Sequence, residues 1–269
     1  MFGVCRGRQR DAAWPAGEDA SAPSYSLART DGGSLALVSK RLCLIAIAIH
    51  ASPHDPIVIA ANRDEFYDRP TRPLHIWGDD PNIAGGRDLR AGGTWLAVTR
   101  DGRFAAATNI RGNDGPPNAR SRGALVGDFV RSNLPPLDYA QRINPNDYAG
   151  FHLLAGDRDS VAHISTDTPA RLLDDGIFAL SNAPGSIDWP KIVLAREAMS
   201  RALEGDVIND LLHFLTTPRG GPIEEEVFVA LPERGYGTRS STVVVMSHDE
   251  IVMMERSHPS EDVVSLTLR

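Results

Sequence analysis

Short apolar runs separated by turn residues recur from Cys43 to the end of the chain and predict a protein built mainly of strands. The first two runs, Cys43 to Ile49 and Ile57 to Ala61, have the length of buried strands. Further strands are predicted over residues 94–99, 104–109, 151–155, 161–165, 177–181, 242–246, 251–255 and 263–268.

Two of these pairs predict hairpins. Residues 94–99 and 104–109 flank Asp101-Gly102, a pair typical of a two-residue hairpin turn. Residues 151–155 and 161–165 form a second hairpin around Gly156-Asp157, and in it His152 and His163 are expected to face each other.

Helical spacing of apolar residues is clearest from Trp189 to Glu204, and residues 207–215 predict a second helix. Ser121 is a candidate cap for a third helix that ends near Ser132. Many antiparallel strands with a central helical pair predict an α+β fold, in which two antiparallel sheets pack together and helices cover them.

Residues 1–41 lack this periodicity and are rich in Ala, Pro, Gly, Ser and Asp, so they cannot bury enough apolar surface to offset chain entropy. We therefore expect residues 1–42 to be a disordered extension or a mis-assigned start, and residues 43–269 to form a single domain. Translation from codon 42 would place Met before Cys43, and an aminopeptidase would then leave Cys43 first. Self-cleavage of the Leu42–Cys43 bond is the alternative.

Composition narrows the class of protein. A net charge of −7 over 269 residues argues against a nucleic-acid partner, and no apolar run reaches the length of a membrane span. Only two of the 28 basic residues are lysines, Lys40 and Lys191, and the rest are arginines. This preference for arginine indicates a GC-rich bacterial genome. Two cysteines, Cys5 and Cys43, make no disulfide framework, so a cytoplasmic location is expected.

Cys43 is the first candidate for chemistry. If it is the first residue, its thiolate can attack an acyl carbon with its own α-amine as base, because the two groups have reference pKa values of about 8.5 and about 7.7–8.0. The alternative is an inert core cysteine, and for a lone cysteine in an apolar strand that interpretation is favoured.

Arg63 and Asp64 follow the second predicted strand. Arg63 would lower the thiol pKa by its charge, and Asp64 would orient the amine or the arginine. The alternative is a solvated turn, although Phe66, Tyr67 and Pro70 make this loop less polar than most turns.

Asn109 and Asn182 each end a predicted strand, where a side-chain amide can donate to a developing oxyanion. Asparagine is also common at strand ends for local backbone bonding, so each is weak alone. Arg239, in Gly-Tyr-Gly-Thr-Arg-Ser-Ser, is a candidate to hold an anionic substrate group or Asp64; the alternative is a surface arginine in a turn. The sequence carries no zinc-site, serine-elbow or phosphate-loop motif, so we expect no metal and no cofactor.

A series of short sequence blocks runs in order from Cys43 to the C-terminus. The blocks are Ala61-Asn62-Arg63-Asp64-Glu65-Phe66, Arg69-Pro70, Trp77, Gly85-Gly86-Arg87-Asp88, Gly92-Gly93-Thr94-Trp95-Leu96, Thr108-Asn109, Arg122-Gly123, Gly150-Phe151, Leu180-Ser181-Asn182, Trp189-Pro190-Lys191, Tyr236-Gly237-Thr238-Arg239-Ser240 and Glu255-Arg256. Together these blocks resemble the NRDE family, also called the transport and Golgi organisation protein 2 family.

The family is in turn similar to the penicillin V acylase and bile-salt hydrolase group, which implies the αββα fold of N-terminal-nucleophile hydrolases. The resemblance implies a site formed by a leading cysteine, two asparagines that bind the oxyanion, and a late arginine. In this chain Cys43 matches the cysteine, Asn109 and Asn182 match the asparagines, and Arg239 matches the arginine. Arg63 and Asp64 match less cleanly, since that group spaces its Arg and Asp three residues apart. Glu65 is therefore the alternative site acid.

The sequence thus predicts an amidohydrolase that acts on a small amide or acyl compound through Cys43. The rival is a non-catalytic protein that binds or traffics haem or an acylated lipid. In that case Cys43 and a histidine such as His50 or His152 would ligate the haem iron.

Overall fold

The structure is a computed structural model that describes residues 42–183, 189–223 and 225–269. The predicted disordered preface, residues 1–41, lies outside the described residues. Leu42, which we assigned to that preface, is described, and only 1% of its surface is exposed.

Strands make up most of the described chain. In chain order they are β1 (Leu44–Ile49), β2 (Ile57–Phe66), β3 (Thr71–Ile76), β4 (Ile83–Asp88), β5 (Leu96–Thr99), β6 (Phe104–Asn109), β7 (Phe151–Gly156), β8 (Val161–Ser165), β9 (Arg171–Leu172), β10 (Gly176–Ser181), β11 (Ala230–Leu231), β12 (Tyr236–Met246), β13 (Ile251–Ser257) and β14 (Val263–Leu268). The helices are α1 (Arg122–Arg131), α2 (Pro136–Gln141), α3 (Pro190–Ala202) and α4 (Val207–Thr216).

These strands form two antiparallel sheets. The first has the order β10-β1-β2-β12-β13-β14, with the short β11 also paired to β12, and the second runs from β3 to β9 in chain order. In the first sheet β1 lies between β10 and β2, although β10 follows it by more than a hundred residues in sequence. This long-range pairing brings the start of β1 beside the end of β10.

Alternation along each strand divides its side chains between two faces. On β1, Ile45, Ile47 and Ile49 join the core between the sheets, where they meet residues of the second sheet such as Val98 and Phe104. Leu44, Ala46 and Ala48 point the other way, against Ala195, Met199, Leu211 and Leu215 of α3 and α4.

The second sheet is covered in the same manner on its outer side. Its outward residues, including Ala105 and Leu153, pack against Leu125 and Phe129 of α1 and against part of α2. The layers are therefore helices, sheet, sheet and helices. This arrangement confirms the predicted αββα sandwich of two antiparallel sheets.

Several predicted elements are confirmed and others differ. The three predicted helices correspond to α1, α3 and α4, and the hairpin around Gly156-Asp157 is formed by β7 and β8. The β5–β6 turn is longer than the predicted two-residue loop, because the backbone N–H of Thr99 donates to the Arg103 carbonyl and Gly102 takes a φ of 90°. Neither β3 nor β4 was predicted, since Pro73 and the Gly85-Gly86 pair obscure their alternation. The helix α2 was also missed.

Within the described part of the chain, no helix is both long enough and apolar enough to cross a membrane.

Candidate active site

Cys43 immediately precedes β1, where strands pair on both sides. Leu44 lies opposite Asn62 of β2 and Ser181 of β10. Continuing this antiparallel register by one residue places Cys43 beside Arg63 on one neighbour and beside Asn182 on the other. Because side chains alternate, Cys43 and Arg63 share the face that looks into the sandwich.

The Cys43 sulfur accepts a hydrogen bond from the backbone N–H of Asp64, with 3.3 Å between nitrogen and Sγ. The Ser181 hydroxyl donates to the Cys43 carbonyl across 3.1 Å and fixes the backbone on the other side. Burial, followed by the charge of Asp64, raises the pKa of the thiol, while the Asp64 N–H and Arg63 oppose this shift. The thiol therefore needs a nearby base to become a nucleophile at neutral pH.

A cleft of about 360 Å³ opens beside Cys43 between the two sheets. Its wall combines strand residues from both sheets with residues from the segment that leads into α1. The lining residues are Cys43, Arg63, Asp64, Glu65, Arg69, Asp88, Ala91, Thr94, Trp95, Ala107, Thr108, Asn109, Ala119, Arg120, Ser121, Arg122, Gly123 and Ala149.

Arginines and carboxylates alternate at one side of this cleft. Arg63 lies 3.9 Å from Glu65 and 3.6 Å from Asp88, and its guanidinium stacks 4.6 Å above the ring of Trp95. Arg69 bonds Asp88 at 2.6 Å and lies 3.7 Å from Glu65. Four charges thus compensate one another, and Arg63 is held beside the cysteine.

Asp64 and Glu65 occupy opposite faces of β2, which distinguishes the two candidate acids. The carboxylate of Asp64 accepts a 2.7 Å hydrogen bond from the Thr238 hydroxyl, and burial raises its pKa to about 6, with the charge of Lys191 opposing the shift. Its second oxygen, Oδ2, is buried and makes no hydrogen bond to a described residue. Glu65 instead belongs to the arginine–carboxylate group described above.

Asn109 and Asn182 come together, as the sequence led us to expect, but their amides have different surroundings. Asn109 lines the cleft at the end of β6. The Asn182 amide is fully buried and donates both to the Asn109 carbonyl at 2.7 Å and to the Thr108 hydroxyl at 3.0 Å. Since both N–H groups of Asn182 are engaged, this residue supports Asn109 from behind.

Arg239 lies outside the cleft lining. The register of β12 against β2 shifts between Thr238 and Ser240, so Arg239 sits in a bulge. Its guanidinium donates to the carbonyls of Phe66 and Tyr67, whereas Asp64 takes its hydrogen bond from Thr238. The expected contact between Arg239 and Asp64 is therefore replaced by one that secures the loop after β2.

The histidines named for haem ligation lie in two different places. His50 follows the far end of β1, about 23 Å from Cys43 at ~3.3 Å per residue, and its ring bonds Asp175 and the Arg158 carbonyl. His50 and Cys43 are thus too far apart to ligate one iron. His152 faces His163 as predicted, with 3.2 Å between their nitrogens, and its other nitrogen lies 3.2 Å from the Ala183 carbonyl. Among the described residues, no three His, Cys, Asp or Glu side chains are grouped to hold a metal ion.

Arg69, Asp88 and Trp95 were not predicted as site residues, and neither were two buried residues that contact the site from behind. Thr238 holds Asp64, and Lys191, in the first turn of α3, is fully buried and donates to the carbonyl of Leu42. The available signal for Lys191 was its rarity, because the chain has only one other lysine among 28 basic residues. Thr238 stands in the block Tyr236-Gly237-Thr238-Arg239-Ser240 and Lys191 in Trp189-Pro190-Lys191, both of which resemble the family, but the blocks did not indicate what either residue contacts.

Comparisons with known proteins place this chain in a family. The sequence model of Transport and Golgi organisation 2 matches residues 42–259. The Bos taurus Transport and Golgi organization protein 2 homolog is 30% identical over 244 residues, which cover 77% of this chain and 88% of the relative. The Mus musculus homolog is 28% identical over 242 residues with the same coverage.

Among solved structures, the Caenorhabditis elegans N-acylethanolamine-hydrolyzing acid amidase (NAAA) ortholog is similar with a TM-score of 0.45 and 13% identity, covering 76% of this chain and 92% of that one. The family match and the bovine relative agree with the resemblance read from the sequence blocks. By both measures this chain belongs to the Transport and Golgi organisation 2 family.

Proposed function

We propose that this protein is an amidohydrolase that cleaves a small amide or acyl compound, with Cys43 as an N-terminal nucleophile. The observation that carries the proposal is the position of Cys43: its sulfur lies at a cleft of about 360 Å³, beside a main-chain N–H donor and in the same cavity as Asn109. An inert core cysteine would have no reason to meet a polar cleft.

In the proposed reaction, the free α-amine of Cys43 accepts the thiol proton, and the thiolate attacks the acyl carbon of the substrate. The carbonyl oxygen becomes an oxyanion that accepts a hydrogen bond from the side-chain amide of Asn109, whose backbone carbonyl accepts a hydrogen bond from Asn182. The carbon–nitrogen bond then breaks, and the protonated α-amine gives its proton to the leaving nitrogen. An acyl thioester to Cys43 remains.

Water completes the cycle. It loses a proton to the α-amine, attacks the thioester carbon and releases a carboxylic acid and the Cys43 thiol. Arg63 stands beside the sulfur and favours its thiolate form by charge. Asp64 holds the sulfur through its backbone N–H, and its buried Oδ2 is an acceptor for the α-amine.

The first test asks whether the working protein begins at Cys43. The protein is made from its native gene, its intact mass is measured, and it is treated with a cyanobenzothiazole, which condenses only with a terminal 1,2-aminothiol. A mass that starts at Cys43 and a single labelled site support the proposal. A fully competent chain that retains residue 42 contradicts it and favours a ligand carrier.

The second test is turnover. A library of small amides and thioesters is screened with the wild type, Cys43→Ala and Cys43→Ser. We expect hydrolysis by the wild type, none by the alanine variant, and an acyl adduct at Cys43 in rapid-quench mass spectra. Absence of turnover from a chain that begins at Cys43 would count against catalysis.

A further inference from the structure

Lys191 is a buried lysine that contacts the main chain of Leu42, the residue before Cys43. It lies in the first turn of α3 with no exposed surface, and its ammonium donates to the carbonyl oxygen of Leu42. That oxygen belongs to the peptide whose nitrogen is the nitrogen of Cys43, and the two atoms of a peptide group are about 2.3 Å apart. The Lys191 nitrogen therefore lies within roughly 5 Å of the Cys43 nitrogen.

The surroundings of Lys191 suit a charged ammonium group. Its nitrogen lies 5.5 Å from the ring centre of Trp189, and Asp64 is a nearby carboxylate on which Lys191 exerts the leading favourable charge effect.

We propose that Lys191 is a positioning residue of this site: its ammonium keeps the freed α-amine of Cys43 unprotonated, so that the amine can take up the thiol proton. This inference rests on the proposed function, in which Cys43 comes first. A cation within a few ångströms disfavours a second cation, whereas it favours the thiolate that forms when the proton moves. The lysine thus keeps the amine available as a free base and stabilises the thiolate, while it disfavours the ammonium that the proton transfer forms.

The other charged groups around Cys43 come from several elements, and the cleft beside it is also lined by Arg69, Asp88, Arg120 and Arg122. Strand β2 contributes Arg63, Asp64 and Glu65, and β12 contributes the phenol of Tyr236, whose burial raises its pKa. Arg63 acts on the amine in the same direction as Lys191, while the two carboxylates act against it. Lys191 differs from Arg63 because it approaches from the side of the backbone nitrogen, whereas Arg63 is drawn toward Glu65 and Asp88.

The test uses a chain in which codon 42 is replaced by the initiator, so that aminopeptidase leaves Cys43 first. This chain retains every described strand and helix. It contains a single cysteine, since Cys5 is absent, so cysteine labelled with ¹³C gives one set of resonances that reports the α-amine and the thiol. The titration midpoints of the α-amine and the thiol are measured from these resonances between pH 5 and 10 for the wild type, Lys191→Met, Lys191→Gln and Lys191→Arg.

We expect Lys191→Met and Lys191→Gln to raise the α-amine midpoint by about one pH unit and Lys191→Arg to restore it, because a purely structural role would not follow the charge. An unchanged midpoint in a folded, uncharged variant overturns the inference, and so does an arginine variant that shifts as far as the methionine variant. If neither uncharged variant folds, a wild-type α-amine midpoint above about 8 overturns it.

The two proposals fail separately. If the native chain retains residue 42, the proposed function fails. If the chain begins at Cys43 and hydrolyses amides, but substitution of Lys191 leaves the titration midpoint of the α-amine unchanged, only the role of Lys191 fails.

Discussion

His152 and His163 stack on each other inside the sandwich, with 3.2 Å between Nδ1 of the first and Nε2 of the second. They lie on the paired strands β7 and β8, where His163 is two residues from Ser165, the direct cross-strand partner of His152. Burial lowers the pKa of both rings, and for His163, with His152 beside it, the pKa falls to about 3. Both rings are therefore neutral at pH 7.

This pair predicts a loss of stability in acid. The pKa of His163 is lower in the folded chain than in the unfolded chain, so its contribution is complete above about 6.5 and is lost as pH falls toward about 3. We expect His163→Gln to lose less unfolding free energy than the wild type between pH 7 and 4.5, measured by urea unfolding. The exposed His248→Gln serves as the control and should follow the wild type. An unaltered pH slope in His163→Gln would show that the pair does not govern acid sensitivity.

Glu255 predicts a pH dependence of opposite sign. Its buried carboxylate accepts hydrogen bonds from the Leu74 N–H at 2.7 Å and the Thr242 hydroxyl at 3.0 Å, and burial raises its pKa to about 6. Its contribution is complete below the unfolded pKa and is lost as pH rises through about 6. Glu255→Gln should therefore gain stability relative to the wild type between pH 4.5 and 7.5.

The measurement is again urea unfolding over that range, with the exposed Glu233→Gln as the matched control. A Glu255→Gln curve parallel to the wild type would refute the prediction. The glutamine can still accept from Leu74 and donate to the Thr242 oxygen, so a simple loss of hydrogen bonds does not imitate the effect.

In the proposed mechanism Asn109 is the remaining candidate for the oxyanion donor, because the amide of Asn182 is fully engaged. Once a substrate is found, Asn109→Ala should lower kcat by about 10²–10³-fold with little change in thermal stability. Asn146→Ala, at an exposed site, is the control and should retain full activity. Wild-type kcat in Asn109→Ala would remove this residue from the mechanism.

Gly86 lies against the ring of Trp95 in the cleft wall, and its lack of a side chain leaves room for that ring. A Cβ atom at this position would lie 2.1 Å from the Trp95 ring, which stacks on Arg63. Gly86→Ala must displace that ring, and we expect a loss of about 1–3 kcal/mol of unfolding free energy together with altered alkylation of Cys43.

Gly78→Ala is the matched control, since nothing lies within 4 Å of its added Cβ. Its unfolding free energy should stay within about 0.5 kcal/mol of the wild type. Equal behaviour of the two alanine variants would contradict the packing argument.

The layered fold was predictable because strand alternation and helical spacing act over a few residues. The strands β3 and β4 were missed because their residues are set by contacts with distant parts of the chain. At Gly85, for example, a Cβ would lie 2.6 Å from the Leu96 carbonyl oxygen. A glycine required by such an approach weakens the local pattern that signals a strand.

The site was predictable in part. The resemblance to the penicillin V acylase and bile-salt hydrolase group implied that Cys43, Asn109 and Asn182 would lie at one site. Asp64 and Glu65 have different surroundings because they lie on opposite faces of β2. Strand alternation, counted from the pairing of Cys43 with Arg63, could have indicated which face each acid occupies. Lys191 depends on a main-chain carbonyl 149 positions away, and no local pattern carries that information.

Having a neighbour on each side, β1 is locked against sliding along its axis. An extra residue between Cys43 and Leu44 would turn the sulfur toward α3, or else expel Ile45, Ile47 and Ile49 from the interior. Any protein engineer wishing to move the nucleophile must therefore rebuild the middle of the molecule with it.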